Sequence, residues 1–256
     1  MDDHPPERRT RIVAAFDRAE RYDSAAIVQR KAARALADRI VALPIRANPR
    51  ILELGCGTGF LTQALAERIG PARWTISDIA PAMVDRARAR VGLDADYRVI
   101  DGEAVDPAMG PYDLIVSGMA FQWFADLPRA VSRLGTLMAA GGAIAFSTMA
   151  EGSLMEWSEA LDAEGLASGI PAYPGPDALA AMIPAGFKGD VAIIDLPEPQ
   201  ADARSFLRGL KAIGAGTAAH GYHPLPPAAL RRAMVRFDAG PRIVTYRIGV
   251  CLLRAP

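Results

Sequence analysis

The sequence predicts an α/β fold: a mostly parallel sheet of seven strands with helices on both faces, a helical cap ahead of it and a helical lid inserted near its end. Three observations lead there. Short apolar runs alternate with segments of helical period. A glycine-rich turn joins the first run to a helix. Acids then stand at or just past the ends of the next two runs, Asp78 and Asp101.

Residues 1 to about 10 are polar and read as disordered. From Ile12 to about Leu43 an apolar face recurs through Ala14, Ala15, Ala25, Ala26, Ile27, Leu36, Ile40 and Val41, which predicts helix, and Pro44 ends it. Residues 1–45 form the cap. The first strand, Ile51–Leu54, runs directly into Gly55-Cys56-Gly57-Thr58-Gly59, and helix follows from Phe60 to Arg68. Trp74–Ser77 gives the second strand, and a helix starts after Pro81. Tyr97–Ile100, Tyr112–Ser117 and, past a turn at Gly141-Gly142, Ala143–Ser147 give three more. Residues 46–150 form the ligand-binding core. Beyond Ala150 the chain is helical and proline-rich. Val191–Leu196 and Ile243–Leu253 complete the sheet in the segment 151–256. Between them a lid, about 199–240, carries helices near Ala203–Ile213 and Pro227–Phe237.

With 256 residues, 51% hydrophobic and 23% charged, the chain can build one sizeable core. Lys+Arg and Asp+Glu both total 29, which gives no indication of a nucleic-acid or anionic-membrane partner. Cys56 and Cys251 form no CxxC pair, and His4, His220 and His223 are scattered, so neither a metal site nor a disulfide is expected and the cytoplasm is the expected compartment. No apolar run reaches about 18 residues, and MDDHPPERRTR lacks the apolar stretch of a signal peptide. The overall balance hides an asymmetry. Residues 151–200 carry nine acids and one base, whereas residues 201–256 carry nine bases and two acids.

Glycines at 55, 57 and 59 let the backbone turn sharply and let a ligand approach the main chain. The spacing is GxGxG with Glu53 two residues ahead, not GxGxxG, and no GK[ST] follows. A carboxylate at Asp78 can accept from both hydroxyls of a ribose; as a plain structural residue it would cap the helix after Pro81. Asp101 can accept from an adenine amino group or serve as a turn acid. All three positions fall at carboxyl ends of successive strands, where open α/β sheets bind ligands.

ILELGCGTG, SDIAPAM and DGEAV resemble the cofactor motifs of class I S-adenosylmethionine-dependent methyltransferases, whose sheet is Rossmann-like with its last strand antiparallel. The resemblance implies S-adenosyl-L-methionine as cofactor. It puts Glu53 near the amino-acid end, Gly55, Gly57 and Gly59 along the loop, Asp78 on the ribose, Ile79 beside the adenine and Asp101 on the adenine amine. Cys56, Met83, Gly102 and Ser117 complete the implied set, and Tyr22 and Gln29 of the cap are candidates for covering the cofactor.

FDRAERYDSAAIVQRKAA, SGMAFQWFADLPRAVSRL, STMAEGSLMEW, LRGLKAIGA and VTYRIGVCLL are similar to the malonyl-acyl-carrier-protein O-methyltransferases of biotin synthesis; the segment Ala215–Pro226 departs from that pattern. The implied acceptor is a free carboxylate, ionised at pH 7 without a general base. Such a group calls for a cationic or hydrogen-bonding clamp, for which arginine is well suited. Gln122 and Trp123 fall at the expected rim of the active site. The implied partner is a malonyl-loaded acyl carrier protein, or malonyl-CoA. Arg204, Arg208 and Lys211, at i, i+4 and i+7 of one helix, form a cationic stripe for an acidic carrier, with Arg231, Arg232 and Arg236 as a second group. Three other readings stay open: methylation of another carboxylate, a phenol or a quinone, of which a phenol would usually want a nearby base; a cofactor-binding partner protein without turnover; and an NAD-dependent oxidoreductase, which the glycine spacing disfavours.

Overall fold

The structure, a computed structural model, describes residues 5–18, 22–214 and 222–256. The cap contains helices α1 (Pro5–Asp17), α2 (Tyr22–Ala25) and α3 (Ile27–Ile40). The sheet and its helices follow as β1 (Arg50–Leu54), α4 (Phe60–Ala66), β2 (Arg73–Asp78), α5 (Pro81–Val91), β3 (Asp96–Val99), β4 (Tyr112–Gly118), α6 (Leu127–Gly135) and β5 (Met138–Met149). Then come α7 (Met155–Asp162), α8 (Pro176–Ala181), β6 (Lys188–Pro199), α9 (Ala203–Ala212), α10 (Pro227–Asp238) and β7 (Ile243–Arg254).

The seven strands lie in the order β3-β2-β1-β4-β5-β7-β6, and β7 runs antiparallel to both neighbours. Helices cover both faces, so the central strands are apolar on both sides. Ile51, Leu114 and Val116 join one buried cluster with Leu36, Ile40, Leu61 and Leu65. Leu52, Leu54 and Ile115 join the other with Val131, Leu134 and Phe146. Prolines in the first turns of α5, α6, α8 and α10 start those helices where a missing N–H loses no intrahelical bond.

Three expectations are corrected. Helix begins at Pro5, not near residue 12, because Pro5 and Pro6 fit the first turn. The single helix expected from Ile12 to Leu43 would be about 48 Å long; instead α1 turns aside to pack on α5 while α3 packs on α4 and the sheet. The expected turn at Gly141-Gly142 is a bulge inside β5: the register passes from Tyr112–Met138 to Leu114–Ala143, with Gly141 at φ 72°. His4, His220 and most of the departing segment 215–226 lie outside the described residues.

The charge asymmetry is partly absorbed by tertiary pairing. Glu198 pairs with Lys31, Asp190 with Arg39, Asp195 with Arg247 and Glu164 with Arg232. Among the described residues no helix is long and apolar enough to cross a membrane and no His, Cys, Asp or Glu cluster could hold a metal; both cysteines are free and buried.

The helices of 199–240 share one aromatic cluster with α7: Phe206 lies 5.8 Å from Trp157 and 6.2 Å from Phe237, centroid to centroid, and is 2% exposed. Phe206→Ala is expected to lower the unfolding free energy by about 3 kcal/mol or more in a urea titration; a loss below about 1 kcal/mol would mean that these helices do not share the core.

Candidate active site

β1 is flanked by β2 and β4, so its carboxyl end sits where the winding of the sheet reverses. A cleft of about 730 Å³ opens there, lined by the ends of β1 to β4 and roofed by the cap. Glu53, Gly55, Cys56, Gly57, Asp78, Ile79, Met83, Asp101, Gly102, Tyr22, Gln29 and Trp123 all line it.

Asp78 organises the floor. Its Oδ2 accepts from the Gly57 amide at 2.9 Å and its Oδ1 from the Ala80 amide at 2.9 Å. It therefore pins the glycine loop and closes a local turn onto Ala80, the residue ahead of α5, which has no side-chain cap. An ionised carboxylate has about four acceptor positions, so one on each oxygen is left for a ligand. Burial raises its pKa, opposed by the amide hydrogen bonds from Ala80 and Gly57. Glu53 is fully buried. Thr62 donates to its Oε2 at 2.6 Å, while Oε1 has no partner, and burial pushes its pKa from 4.5 to about 8.

Asp101 accepts from the Glu103 amide at 3.0 Å and pairs with Arg9 of α1. Gly102 is needed because a Cβ there would stand 2.5 Å from the Phe124 ring. Glu103 in turn accepts from the amides of Ala125 and Asp126, each at 2.9 Å, and ties this turn to the segment after β4.

The cap is fastened to the glycine loop by Asp23. Thr58 donates to it at 2.6 Å, Arg90 pairs with it, and Arg30 holds its carbonyl at 2.6 Å. Tyr22 then lies over the loop: its hydroxyl would be 3.7 Å from a Cβ on Gly57. Arg9, Phe16, Asp23 and Phe124 escaped the sequence reading. Phe16, Asp23 and Phe124 fall in segments that carry the family resemblance, but each takes its place in the site only once the cap or the β4 loop has docked.

A second cavity, about 1030 Å³, lies between the cap, β5, α7, α9 and the segment before α10. Its walls are mainly aromatic and aliphatic: Met149, Leu154, Trp157, Ile170, Tyr173 and Tyr246 among others. Phe16, Tyr22, Gln29, Met119 and Trp123 line both cavities, with Phe16 edge-on to Trp123 at 5.5 Å. Gln122 lines only the second. It positions Met119, donating to its carbonyl at 2.6 Å.

Three site expectations change. Ser117 is fully buried and lines neither cavity; Gly118, Met119 and Ala120, at the strand's true end, line the cleft instead. Gly59 faces away from the cleft, and its role is packing: at φ 91° it starts α4, and a Cβ would stand 2.7 Å from Val91. No described arginine lines the wall common to both cavities. Of the six cations proposed for docking, Arg204, Arg208, Lys211, Arg231, Arg232 and Arg236, all are exposed; Lys211 also lines the second cavity, and Arg232 pairs with Glu164 at 2.9 Å.

The cleft suits S-adenosyl-L-methionine in its donor set. Five carboxylates line it (Glu53, Asp78, Asp101, Glu103, Asp126), and a buried unpartnered oxygen on Glu53 stands beside the glycine loop. Arg9, Arg129 and Arg133 line the cleft too, so it is the placement of Glu53 and Asp78 beside the glycine loop, not net charge, that suits a ligand with an ammonium and ribose hydroxyls.

Comparison with known proteins agrees. Residues 51–142 match the family described as methyltransferase domain. The chain is 43% identical over 96% of its length to the biotin biosynthesis bifunctional protein BioCD of Bordetella avium, and spans about half (52%) of that longer protein. It is 35% identical to malonyl-acyl-carrier-protein O-methyltransferase of Magnetococcus marinus, covering 94% of this chain and 91% of the relative. Among solved structures, YcgJ of Bacillus subtilis is similar at TM-score 0.60 and 14% identity, covering 86% of this chain and 98% of its own. NodS of Bradyrhizobium japonicum, an N-methyltransferase solved with S-adenosyl-L-homocysteine, is similar at 0.51 and 15%, covering 87% and 85%. At such identities the two structures bear on the fold alone. The chain belongs to the malonyl-acyl-carrier-protein O-methyltransferases, a branch of the S-adenosyl-L-methionine-dependent methyltransferases.

Proposed function

We propose that this chain methylates the free carboxylate of a malonyl thioester on an acyl carrier protein, in the cytoplasm, as a step of biotin synthesis, with malonyl-CoA as a smaller substitute. The observation that carries this reading is the pairing of a cleft that holds Glu53, Asp78 and Asp101 around the glycine loop with a larger chamber walled mainly by aromatic and aliphatic side chains, across one shared wall. In it, Asp78 holds the cofactor's ribose, Asp101 and Gly102 the adenine amine, Ile79 and Met83 the adenine faces, and Glu53 the amino-acid end, with Gly55, Cys56 and Gly57 as the loop. Bound there, S-adenosyl-L-methionine supplies an electrophilic methyl: a C–O bond forms as the C–S bond breaks, the electron pair stays on sulfur and no proton moves. The chain's own task is to align the acceptor and keep water out, which the aromatic collar of Phe16, Tyr22 and Trp123 suits.

The chamber fits an acyl group on a flexible arm. Arg18 and Lys211 line it and suit the phosphate of such an arm. On α9, Arg204 and Arg208 continue the cationic stripe without an ion pair among the described residues, and on α10 Val235, 70% exposed, stands among Arg231, Arg232 and Arg236. Such a surface suits an acidic helix with an apolar ridge.

Glu53 gives a pH-dependent test of the cofactor's orientation. Its folded pKa of about 8 lies above the ordinary 4.5, so the ligand-free protein loses stability as pH rises through that interval. At pH 7 the carboxyl is mostly protonated. An ammonium bound beside it favours ionisation, so cofactor binding is expected to release about one proton, read by calorimetry in buffers of different ionisation enthalpy. Glu53→Gln abolishes that release. Buffer-independent heats in the wild type contradict this orientation.

The direct test is transfer from labelled S-adenosyl-L-methionine to malonyl-, succinyl- and acetyl-loaded carrier. The expected result is methylation of the malonyl form and none of the acetyl form. No transfer to any loaded carrier, with cofactor still bound, rejects the reading. In the same assay Arg204→Glu with Arg208→Glu is expected to lower kcat/KM on the carrier by roughly tenfold or more and to spare malonyl-CoA. Equal loss on both substrates rejects the docking surface.

A further inference from the structure

How an acceptor carboxylate is held depends on what the wall between the two cavities offers. The described residues that line both cavities, Phe16, Tyr22, Gln29, Met119 and Trp123, carry no charge. The cations of the cleft are engaged elsewhere: Arg9 pairs with Asp101, and Arg133 donates to the Val105 carbonyl at 3.0 Å. Arg129, the remaining one, is on α6 and lines the cleft only. In the chamber, Arg18 donates to the Ala14 carbonyl at 2.9 Å, and both Arg18 and Lys211 are exposed. None of these described cations lines the junction.

The junction instead offers neutral hydrogen-bonding groups. Gln29 lines both cavities, and its side-chain oxygen is buried with no partner; that oxygen only accepts, so the group that can meet a carboxylate is the amide N–H2, which a half-turn of the amide brings to the same position. The Tyr22 hydroxyl sits over Gly57, and burial, reinforced by Asp78 and Asp23, pushes its pKa upward, so it remains a donor at every physiological pH. Gln122 lines the chamber only, and its amide donates to the Met119 carbonyl at 2.6 Å.

We propose that Gln29, through its amide N–H2, and Tyr22 grip the acceptor carboxylate as neutral donors, and that none of the described cations pairs with it. The inference rests on the malonyl-thioester reading and names the residues that read the acceptor. It replaces the arginine clamp with a different charge balance. The positive partner of the carboxylate is then the sulfonium itself, and both charges vanish in the same step. A fixed guanidinium would stabilise the ionised acceptor more than the transition state, in which that charge is already fading. Neutral donors hold the oxygen in line without that penalty.

The test measures malonyl-CoA affinity for the full chain saturated either with S-adenosyl-L-homocysteine, whose sulfur is neutral, or with sinefungin, which carries an ammonium at the methyl position. The expected result is binding tighter by roughly tenfold or more in the sinefungin complex. The methyl ester of malonyl-CoA is expected to show no such preference. Gln29→Leu and Tyr22→Phe, which keep volume and remove donors, are expected to weaken malonyl-CoA binding to the sinefungin complex by roughly tenfold each, with a much smaller change in sinefungin affinity. Equally tight malonyl-CoA binding in both wild-type complexes overturns the proposal, because a protein cation would then be supplying the charge. Variants that lose cofactor affinity but keep malonyl-CoA affinity also overturn it, returning Tyr22 and Gln29 to cofactor covering alone. Wild type that binds sinefungin but no malonyl thioester rejects the functional reading itself, and this inference with it.

Discussion

The buried carboxylate of Asp78 is the constraint on which the rest of the site depends. It ends β2, yet holds the loop after β1 through Gly57 and the start of α5 through Ala80. Three structural elements therefore meet at one charged group that is only 7% exposed. Its two amide partners offset only part of the cost of burial, and the acceptor positions left over make the site favourable for a ligand rich in donors. The positive φ values of Gly55, Gly57 and Gly59 let the loop reach this carboxylate at all.

The cap extends the same logic. Asp23 receives Thr58 from the loop and Arg90 from α5, so α2 is fastened to the two elements that Asp78 already joins. Tyr22, next in sequence, is thereby carried over Gly57, and Gln29 follows on α3. Each exposed ion pair contributes little by itself. Their value is positional: they set the wall that divides the cleft at the glycine loop from the chamber beside it.

The sheet and the cofactor motifs were legible because both are local. Strand periodicity, the glycine spacing and the acids at 78 and 101 need no knowledge of the tertiary fold. What was not legible came from docking. Phe16 and Arg9 read as a helix face and a polar leader until α1 packs on α5. Gly59 shares a motif with Gly55 and Gly57 but answers to Val91, a contact set by how α5 lies. Ser117 lay one residue short of the strand end that lines the cleft. The arginine clamp was inferred from the chemistry of a carboxylate alone, before it was visible that no described residue common to both cavities is charged. The charge asymmetry gave no partners for the acid-rich segment 151–200, two of which, Lys31 and Arg39, are more than a hundred residues away.

If Asp78 both builds the loop and binds the ligand, the affinity of Asp78→Asn for S-adenosyl-L-methionine, measured by calorimetry alongside a thermal melt, tests the account most directly. The amide keeps the shape and one acceptor oxygen, but it sets an N–H2 against one of the two backbone amides that Asp78 holds and loses the charge-assisted bonds to the ribose. The account predicts binding weaker by roughly 30-fold or more in a protein that still folds. A folded variant that binds the cofactor as tightly as wild type would contradict it.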